Sequence, residues 1–375
     1  MDLSLGEDQL TLRAAFADFF DKESTVERVR AAEPLGFDQE LWIKLAGTGA
    51  IAMGLPEDVG GGGASNLDLV LVAEQYGRRI APVPFIEAAA AGHVLAAAGA
   101  VDLLGGVADG STLPTIALSP ARDGRLRLVP AGAVADIVVA LDGDRLIAIR
   151  RQGDQPGARP HVESSPNFAS SPLADWRLDD GDLIELASGP QAVRLYQDGV
   201  SLWQLLMAAA LGGLRSAALE LGVSYVKARK AFGVIIGSFQ AIQHRLADVV
   251  VAGDGAQLLV YEAAWARDAG QPEAAALASM AFLFGADCAF RTARECLQFH
   301  GGYGFTLEYD IQLYFRRAKA WPLALGDSRR EYQRLADLVY PKPETTGKTA
   351  TSRKLRSRDG LLRRRQARRV SSGCA

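Results

Sequence analysis

The feature that most constrains the fold is a run of about 150 residues, from 192 to 340, whose apolar side chains recur at helical spacing. Within it, residues 202–213 are dense in small side chains, which let neighbouring helices approach closely. The run divides into five helices, predicted over residues 192–231, 238–269, 273–299, 307–319 and 327–339. Long antiparallel helices of this kind pack as a bundle. The sequence therefore predicts a C-terminal helical bundle over residues 191–340.

The first 111 residues also show helical periodicity. Helices are predicted over residues 7–32 and near residues 38–48, 66–77 and 87–98. Four consecutive glycines end at Gly63, but the Lys-Ser/Thr pair of a phosphate loop does not follow them. We interpret them as a turn into a helix that Ser65 or Asn66 caps. These patterns predict an all-helical N-terminal domain over residues 1–111.

Between the two helical regions the pattern changes to short β-branched runs. Strands are predicted over residues 115–118, 125–129, 136–141, 145–149 and 183–187. Asp-Gly pairs at Asp123 and Asp142 indicate tight turns between several of them. Residues 151–175 are rich in Gly, Pro and Ser and are predicted to be a loop. We therefore expect a compact, β-rich middle domain over residues 112–190.

Charge is distributed unevenly. The whole chain has a formal net charge of −3, yet residues 342–375 contain eleven Lys/Arg and only two Asp/Glu. A basic segment can bind nucleic acid or anionic lipid. No aromatic residue lies among its arginines, so base stacking is not indicated. We interpret residues 341–375 as a disordered, solvated tail, and we do not expect nucleic-acid binding.

Composition also suggests a compartment. No run of about 18 uncharged apolar residues indicates a membrane span. The acidic N-terminus lacks the basic and apolar regions of a signal peptide. The three cysteines, Cys288, Cys296 and Cys374, are odd in number and fit no metal-binding spacing. These features predict a cytoplasmic protein with reduced thiols and no metal site.

Two blocks carry the chemical information. The first is Arg229-x-x-Phe232-Gly233, at the end of one predicted helix, followed by the turn for which Ser238 is the expected N-cap. A cation beside an aromatic side chain at such a corner can hold a phosphate and a flat ring together. The second block is residues 298–306, whose glycines allow the backbone to approach a ligand closely.

Together, in this order and separation, the two blocks resemble the acyl-CoA dehydrogenase family. The resemblance implies a mostly α fold with a β middle domain: an N-terminal helical domain, a small β-barrel-like domain and a C-terminal helical bundle. It implies an FAD-dependent oxidation of an acyl-CoA thioester at its α,β bond. It also implies an electron-transfer flavoprotein as the electron acceptor.

The resemblance further implies roles for particular residues. In the family these blocks reach across a subunit interface and hold the ADP half of the FAD whose flavin lies on the neighbouring chain. Arg229 would then pair with the pyrophosphate, and Phe232 and Gln240 would line the same end of the cofactor. The adenosine side would be cradled by three residues of the second block: Gln298, Gly301 and Gly302.

The catalytic base of the family has no counterpart at either expected position. The commoner position for its Glu, before a Gly, is occupied by Leu325, and the less common one by Trp203. Neither side chain can accept a proton. Nearby acids are expected to face solvent or cap helices: Asp198, Glu220 and Asp327. The middle domain also departs from the family pattern, since residues 118–124 read LSPARDG and no tryptophan precedes Trp176 between residues 112 and 190.

These departures leave three hypotheses. We favour a subunit of a heteromeric enzyme, similar to actinobacterial acyl-CoA dehydrogenases that act on steroid-derived thioesters. In this hypothesis the chain lends its ADP-binding half-site to a homologous partner chain, and the partner supplies the base. The alternatives are a self-sufficient homo-oligomer with an unrecognised base such as Asp327, or a non-catalytic scaffold of the same fold.

Overall fold

The computed structural model describes residues 3–33, 35–151 and 163–340, and the predicted basic tail lies outside these residues. The α-helices of the described part are α1 (Glu7–Glu23), α2 (Val26–Ala32), α3 (Gln39–Gly47), α4 (Asn66–Arg78), α5 (Phe85–Ala97), α6 (Gly189–Ala228), α7 (Gln240–Asp268), α8 (Ala274–His300), α9 (Ile311–Ala320) and α10 (Ser328–Val339). Its strands are β1 (Pro114–Ile116), β2 (Arg125–Val129), β3 (Ile137–Asp142), β4 (Arg145–Arg151), β5 (Ala174–Arg177), β6 (Gly181–Ser188), β7 (Lys230–Ala231) and β8 (Val234–Ile235).

The N-terminal helices begin and end largely where local signals place them. Of the two predicted caps, Ser65 and Asn66, Ser65 is the N-cap of α4, and it exchanges hydrogen bonds with Asp68 in a capping box. The single helix predicted over residues 7–32 is divided in two. Ser24 ends α1 and donates to the Arg79 carbonyl, while the Thr25 side chain caps α2. A polar Ser-Thr pair at a point where the chain meets another segment favours a break over a continuous helix.

The middle strands form a four-stranded sheet of order β1-β3-β4-β6, in which only the edge strand β1 is parallel to its neighbour. A separate antiparallel ribbon joins β2 to β5. Strand β5 lies within and just beyond the segment predicted to be a loop, so that part of the prediction was wrong. Its four residues carry too little periodicity to be recognised, but Trp176 is buried there and its indole N–H donates to the Gly132 carbonyl at 2.9 Å.

The C-terminal helices pack as the predicted bundle around α6, a 40-residue helix whose central turns are buried almost without interruption. Helices α4 and α6 approach closely through glycine. A Cβ added at Gly77 would lie 1.9 Å from the Ala210 carbonyl oxygen, and one added at Gly213 would lie 1.8 Å from the Glu74 carbonyl oxygen. Small residues at a helix contact thus set the distance between the N-terminal helices and the bundle.

Two helical segments, residues 189–228 and 274–305, are long and apolar enough to cross a membrane by length and composition. Their most apolar windows are 67% and 50% buried inside the protein. Such burial is typical of core helices, which can also be long and apolar enough to meet these criteria of length and composition. Strands β1–β6 lie between helical regions, as expected, but the domain boundaries at residues 111, 190 and 340 remain predictions.

Candidate functional site

The first sequence block folds into a tight hairpin between α6 and α7. Strands β7 and β8 pair, and Phe232 and Gly233 at the tip both have positive φ, 55° and 82°. Positive φ at both central residues is the geometry of the two-residue hairpin turn that matches strand twist. The Phe232 side chain is 95% exposed, and its ring meets that of Phe239 edge-on at 6.3 Å. An apolar ring is therefore held outward at the end of a constrained turn.

The predicted N-cap role of Ser238 was wrong. Residues 236–238 form a short 3-10 turn, and the Ser238 hydroxyl donates to the Ile235 carbonyl at 2.6 Å. Helix α7 begins one residue later, with Phe239 at the N-cap position and no side-chain cap. The hairpin supplies local acceptors that compete for the serine hydroxyl, so this side chain stabilises the turn rather than the helix.

The second block follows the end of α8. Gly301 ends the helix with a φ of 60°, and residues 301–305 form a 3-10 turn. His300 anchors this turn to the end of α6, because its ring stacks on Tyr225 at 4.0 Å and its Nδ1 lies 2.7 Å from the Cys296 carbonyl oxygen. Burial lowers the pKa of His300, which favours a neutral ring with Nδ1–H as the donor.

The two blocks meet at Arg229. Its guanidinium carbon lies 5.7 Å from the ring centroid of Tyr303, in the middle of the second block. A guanidinium at this distance from an aromatic centroid makes a cation–π contact. The sequence analysis did not identify Tyr303 as a site residue. Its position between Gly302 and Gly304 of the second block was the signal that could have identified it.

The other predicted cofactor residues lie on or beside these two turns, and all of them are exposed: Phe232, Gln240, Gln298, Gly301 and Gly302. We call the six predicted residues, together with Tyr303, the Arg229 surface. A Cβ added at Gly301 or Gly302 would meet nothing within 4 Å, so a ligand can reach the backbone there. The donor set fits the ADP half of FAD, because it combines a guanidinium for pyrophosphate, side-chain amides and an exposed aromatic ring.

The two positions of the missing base line two different cavities. Leu325 and Gly326 line a cavity of about 450 Å³ among the end of β1, α6, α8 and α10, which we call the larger cavity. Trp203 is completely buried and lines a second cavity of about 270 Å³, the smaller cavity. Both expected base positions therefore present apolar side chains, and the carboxylates around them must be considered individually.

The acids considered from the sequence all have other partners. Asp327 accepts a hydrogen bond from the Arg329 backbone N–H at 2.9 Å, at the start of α10. Asp198 lies 2.6 Å from His93 and 2.7 Å from Arg267. Glu220 binds Arg78 through two hydrogen bonds, at 2.7 and 2.9 Å. Asp327 therefore caps a helix, as expected. Asp198 and Glu220 face solvent in part, with side chains 46% and 59% exposed, but they also form ion pairs that the sequence did not predict.

Sequence reasoning missed Glu331, a buried carboxylate that lines the larger cavity. It accepts hydrogen bonds from Ser279 at 2.6 Å, from Gln204 at 2.7 Å and from Arg334 at 2.8 Å. Burial alone would raise the pKa of Glu331, but these donors bring it below the usual value. The group is therefore an ionised anchor between α10 and the bundle, and it is poorly suited to accept a proton.

Sequence reasoning also missed Glu87, the acid in the apolar helix α5. It is 9% exposed, lines the smaller cavity, and accepts a hydrogen bond from the Trp203 indole N–H at 3.3 Å. Burial raises the pKa of Glu87 above the ordinary value, against smaller opposing effects of its hydrogen bonds. An acid within the apolar sequence FIEAAAAGHV was the signal that could have identified it.

Comparison with known proteins gives concordant results. The family model described as "Acyl-CoA dehydrogenase, N-terminal domain" matches residues 6–103, and that described as "Acyl-CoA dehydrogenase, C-terminal domain" matches residues 197–337. The chain is 33% identical over 341 residues to acyl-CoA dehydrogenase IpdE2 of Mycolicibacterium smegmatis, an alignment that covers 90% of this chain and all of the relative.

Two solved complexes are similar in structure. The ChsE4-ChsE5 complex from Mycobacterium tuberculosis matches with a TM-score of 0.80 and 26% identity, covering 92% of this chain and 100% of the matched chain. The Tcur3481-Tcur3483 steroid ACAD matches with a TM-score of 0.77 and 28% identity, covering 90% of this chain and 98% of the matched chain.

Proposed function

The chain belongs to the acyl-CoA dehydrogenase family, FAD-dependent oxidoreductases that act on the CH–CH bond of acyl-CoA, and we propose that it works as one subunit of a heteromeric member. In this proposal the Arg229 surface supplies the ADP-binding half of an FAD site to a homologous partner chain. The partner supplies the catalytic base. The substrate is an acyl-CoA thioester, an electron-transfer flavoprotein accepts the electrons, and the complex is cytoplasmic.

One contrast carries the proposal. The residues that resemble the lent half of an FAD site lie together and exposed, with Arg229 on Tyr303 and Phe232 turned into solvent. The positions where the chain would hold its own base carry Leu325 and Trp203. A chain that had lost all contact with FAD would have no reason to keep an exposed phenylalanine at the tip of a strained turn.

The relatives support a two-chain assembly. Both solved complexes described above are named as pairs of different proteins, and one of them is named as a steroid ACAD. The exposed surface of α7 is consistent with a partner, since four of its large apolar side chains are exposed: Val250, Val251, Leu258 and Trp265. Exposed apolar side chains in such a group are typical of protein–protein contacts.

The chemistry then divides between the chains. Bound FAD supplies the acceptor for the hydride that leaves the β-carbon. This chain's part is binding: the Arg229 guanidinium neutralises pyrophosphate charge, Phe232 covers the cofactor from water, and the open backbone at Gly301 and Gly302 accommodates the adenosine end. Because Tyr303 already holds Arg229, little side-chain freedom remains to be lost when the pyrophosphate binds.

Flavin content tests the proposal directly. The chain is purified alone, and then together with a co-expressed candidate partner chain, the product of an adjacent gene, and the flavin absorbance near 450 nm is measured per chain. We expect little flavin on the isolated chain and about half an FAD per chain in the complex. About one FAD per chain in an active, isolated homo-oligomer would refute the division of the site.

A substitution refines the test. Arg229→Ala should lower FAD affinity of the complex by at least about tenfold, the scale of one lost charge-assisted hydrogen bond, without preventing assembly. Arg127→Ala is the matched control, because Arg127 is another exposed arginine whose carboxylate partner, Asp175, is 3.4 Å away. Equal flavin retention by the two variants would count against the role of Arg229.

A further inference from the structure

The smaller cavity encloses a buried acid within apolar walls. Tyr76 and Trp321 stack at 5.7 Å on its lining, Trp203 and Met207 contribute from α6, and Glu87 faces it from α5. Its volume of about 270 Å³ is just below the roughly 300–1,000 Å³ of sites for drug-sized ligands. The space therefore suits a compact molecule of one or two rings.

Arg317, a cationic side chain on the lining of this cavity, is already neutralised. Arg317 is 3% exposed, and its guanidinium donates to Glu33 and to the Leu313 carbonyl, each at 3.3 Å. Glu33 also accepts from Arg316 at 2.5 Å. A ligand carboxylate would therefore have to displace an existing ion pair, and the cavity does not favour an anion.

Glu87, in contrast, needs a hydrogen-bond acceptor. In the described part of the chain, the hydrogen bonds found at its carboxyl are donated to it, by the Trp203 indole and by its own backbone N–H. Burial favours the neutral acid, which carries an O–H proton of its own. A buried donor without an acceptor is costly, and the cavity is the space from which an acceptor can approach.

We propose that the smaller cavity binds a compact, mostly apolar ring ketone, and that Glu87 hydrogen-bonds to its carbonyl oxygen. Glu87 is then a specificity-determining residue. The apolar and aromatic walls take up the rings, and the acid selects molecules that carry an acceptor oxygen at the matching point. A site built around a buried polar group rejects an analogue that leaves this group unpaired.

The experiment uses the full chain and two probes that differ by one oxygen function, 1-indanone and indane, with calorimetry as the readout. We expect the native chain to bind 1-indanone about tenfold more tightly than indane, the scale of one satisfied buried hydrogen bond. Glu87→Gln keeps an N–H donor and should keep the preference. Glu87→Leu should abolish it, so that both probes bind alike.

Met207→Trp fills the cavity and should prevent binding of either probe, which locates the site. Thermal unfolding of each variant verifies folding; should Glu87→Leu fail to fold, the Glu87→Gln variant and the probe comparison still decide. Equal affinity of the native chain for the two probes, no binding of either, or an intact preference in a folded Glu87→Leu variant would each overturn the proposal.

The ketone can belong to a free molecule or to the acyl group of a thioester, and the latter source rests on the proposed function. A second pair of probes, 4-oxocyclohexanecarboxyl-CoA and cyclohexanecarboxyl-CoA, separates the two. If the chain prefers the oxo thioester over its oxygen-free analogue and binds it more tightly than 1-indanone, the site takes the acyl group. If the chain binds the oxo thioester no more tightly than 1-indanone, the site takes a free ketone. Flavin content enters neither comparison, so this proposal and the shared FAD site can fail separately.

Discussion

Gly212 and Gly213 are neighbours in α6, yet alanine should have opposite effects on stability at the two positions. At Gly212 a new Cβ meets no atom within 4 Å. At Gly213 it would lie 1.8 Å from the Glu74 carbonyl oxygen of α4, where real contacts are essentially never under 3.0 Å. Helices α4 and α6 would have to separate by about 1.2 Å, the difference between these distances.

The size of each effect follows from two contributions. Replacing Gly by Ala inside a helix stabilises by about 1 kcal/mol at either position. Overpacking a well-filled contact costs roughly 1–3 kcal/mol, and the upper end applies at Gly213 because the obstructing atom belongs to backbone. We therefore expect Gly212→Ala to gain about 1 kcal/mol and Gly213→Ala to lose about 2 kcal/mol of unfolding free energy.

Thermal unfolding followed by circular dichroism measures both variants. With an unfolding entropy of about 2.1 cal/mol/K per residue, a body of this length changes its Tm by roughly 1.5 °C per kcal/mol. Gly213→Ala should thus unfold about 3 °C below the native chain and Gly212→Ala about 1.5 °C above it. Equal Tm values for the two variants would refute the close helix approach from which the reasoning starts.

Two further predictions concern buried or partly buried carboxylates. Glu331→Gln leaves Arg334 without its ion-pair partner and should lower the free energy of unfolding in urea by about 2 kcal/mol at pH 7. Because the pKa of Glu331 is lowered in the fold, the difference in unfolding free energy between the variant and the native chain should shrink below about pH 4.5. A difference that does not change with pH would contradict the ion pair. Asp198→Asn weakens contacts to His93 and Arg267 and, with the side chain 46% exposed, should cost only about 1 kcal/mol. Burial raises the pKa of Asp198, but its partners lower it further, so the cost should disappear as pH falls below about 3.8; an undiminished cost in acid would argue for packing instead.

The sequence by itself determined the order of helical, β-rich and helical regions, because these are encoded in local patterns. Helical spacing of apolar residues, a helix cap at Ser65 or Asn66 and the Asp-Gly turns each act over a few residues. The structure contains all three, with Ser65 as the cap. The FAD-associated blocks could also be recognised, since each is continuous in the chain. Their implied contacts with the cofactor remain predictions.

What only the tertiary structure decided involves residues far apart in the chain. Arg229 meets Tyr303, and Trp203 meets Glu87 across 116 positions, and neither pairing leaves a periodic trace. Strand β5 exists because β2 supplies its hydrogen-bond partners, and Ser238 changed its role because a hairpin formed beside it. Such features depend on which surfaces are brought together by packing, so the local pattern cannot specify them.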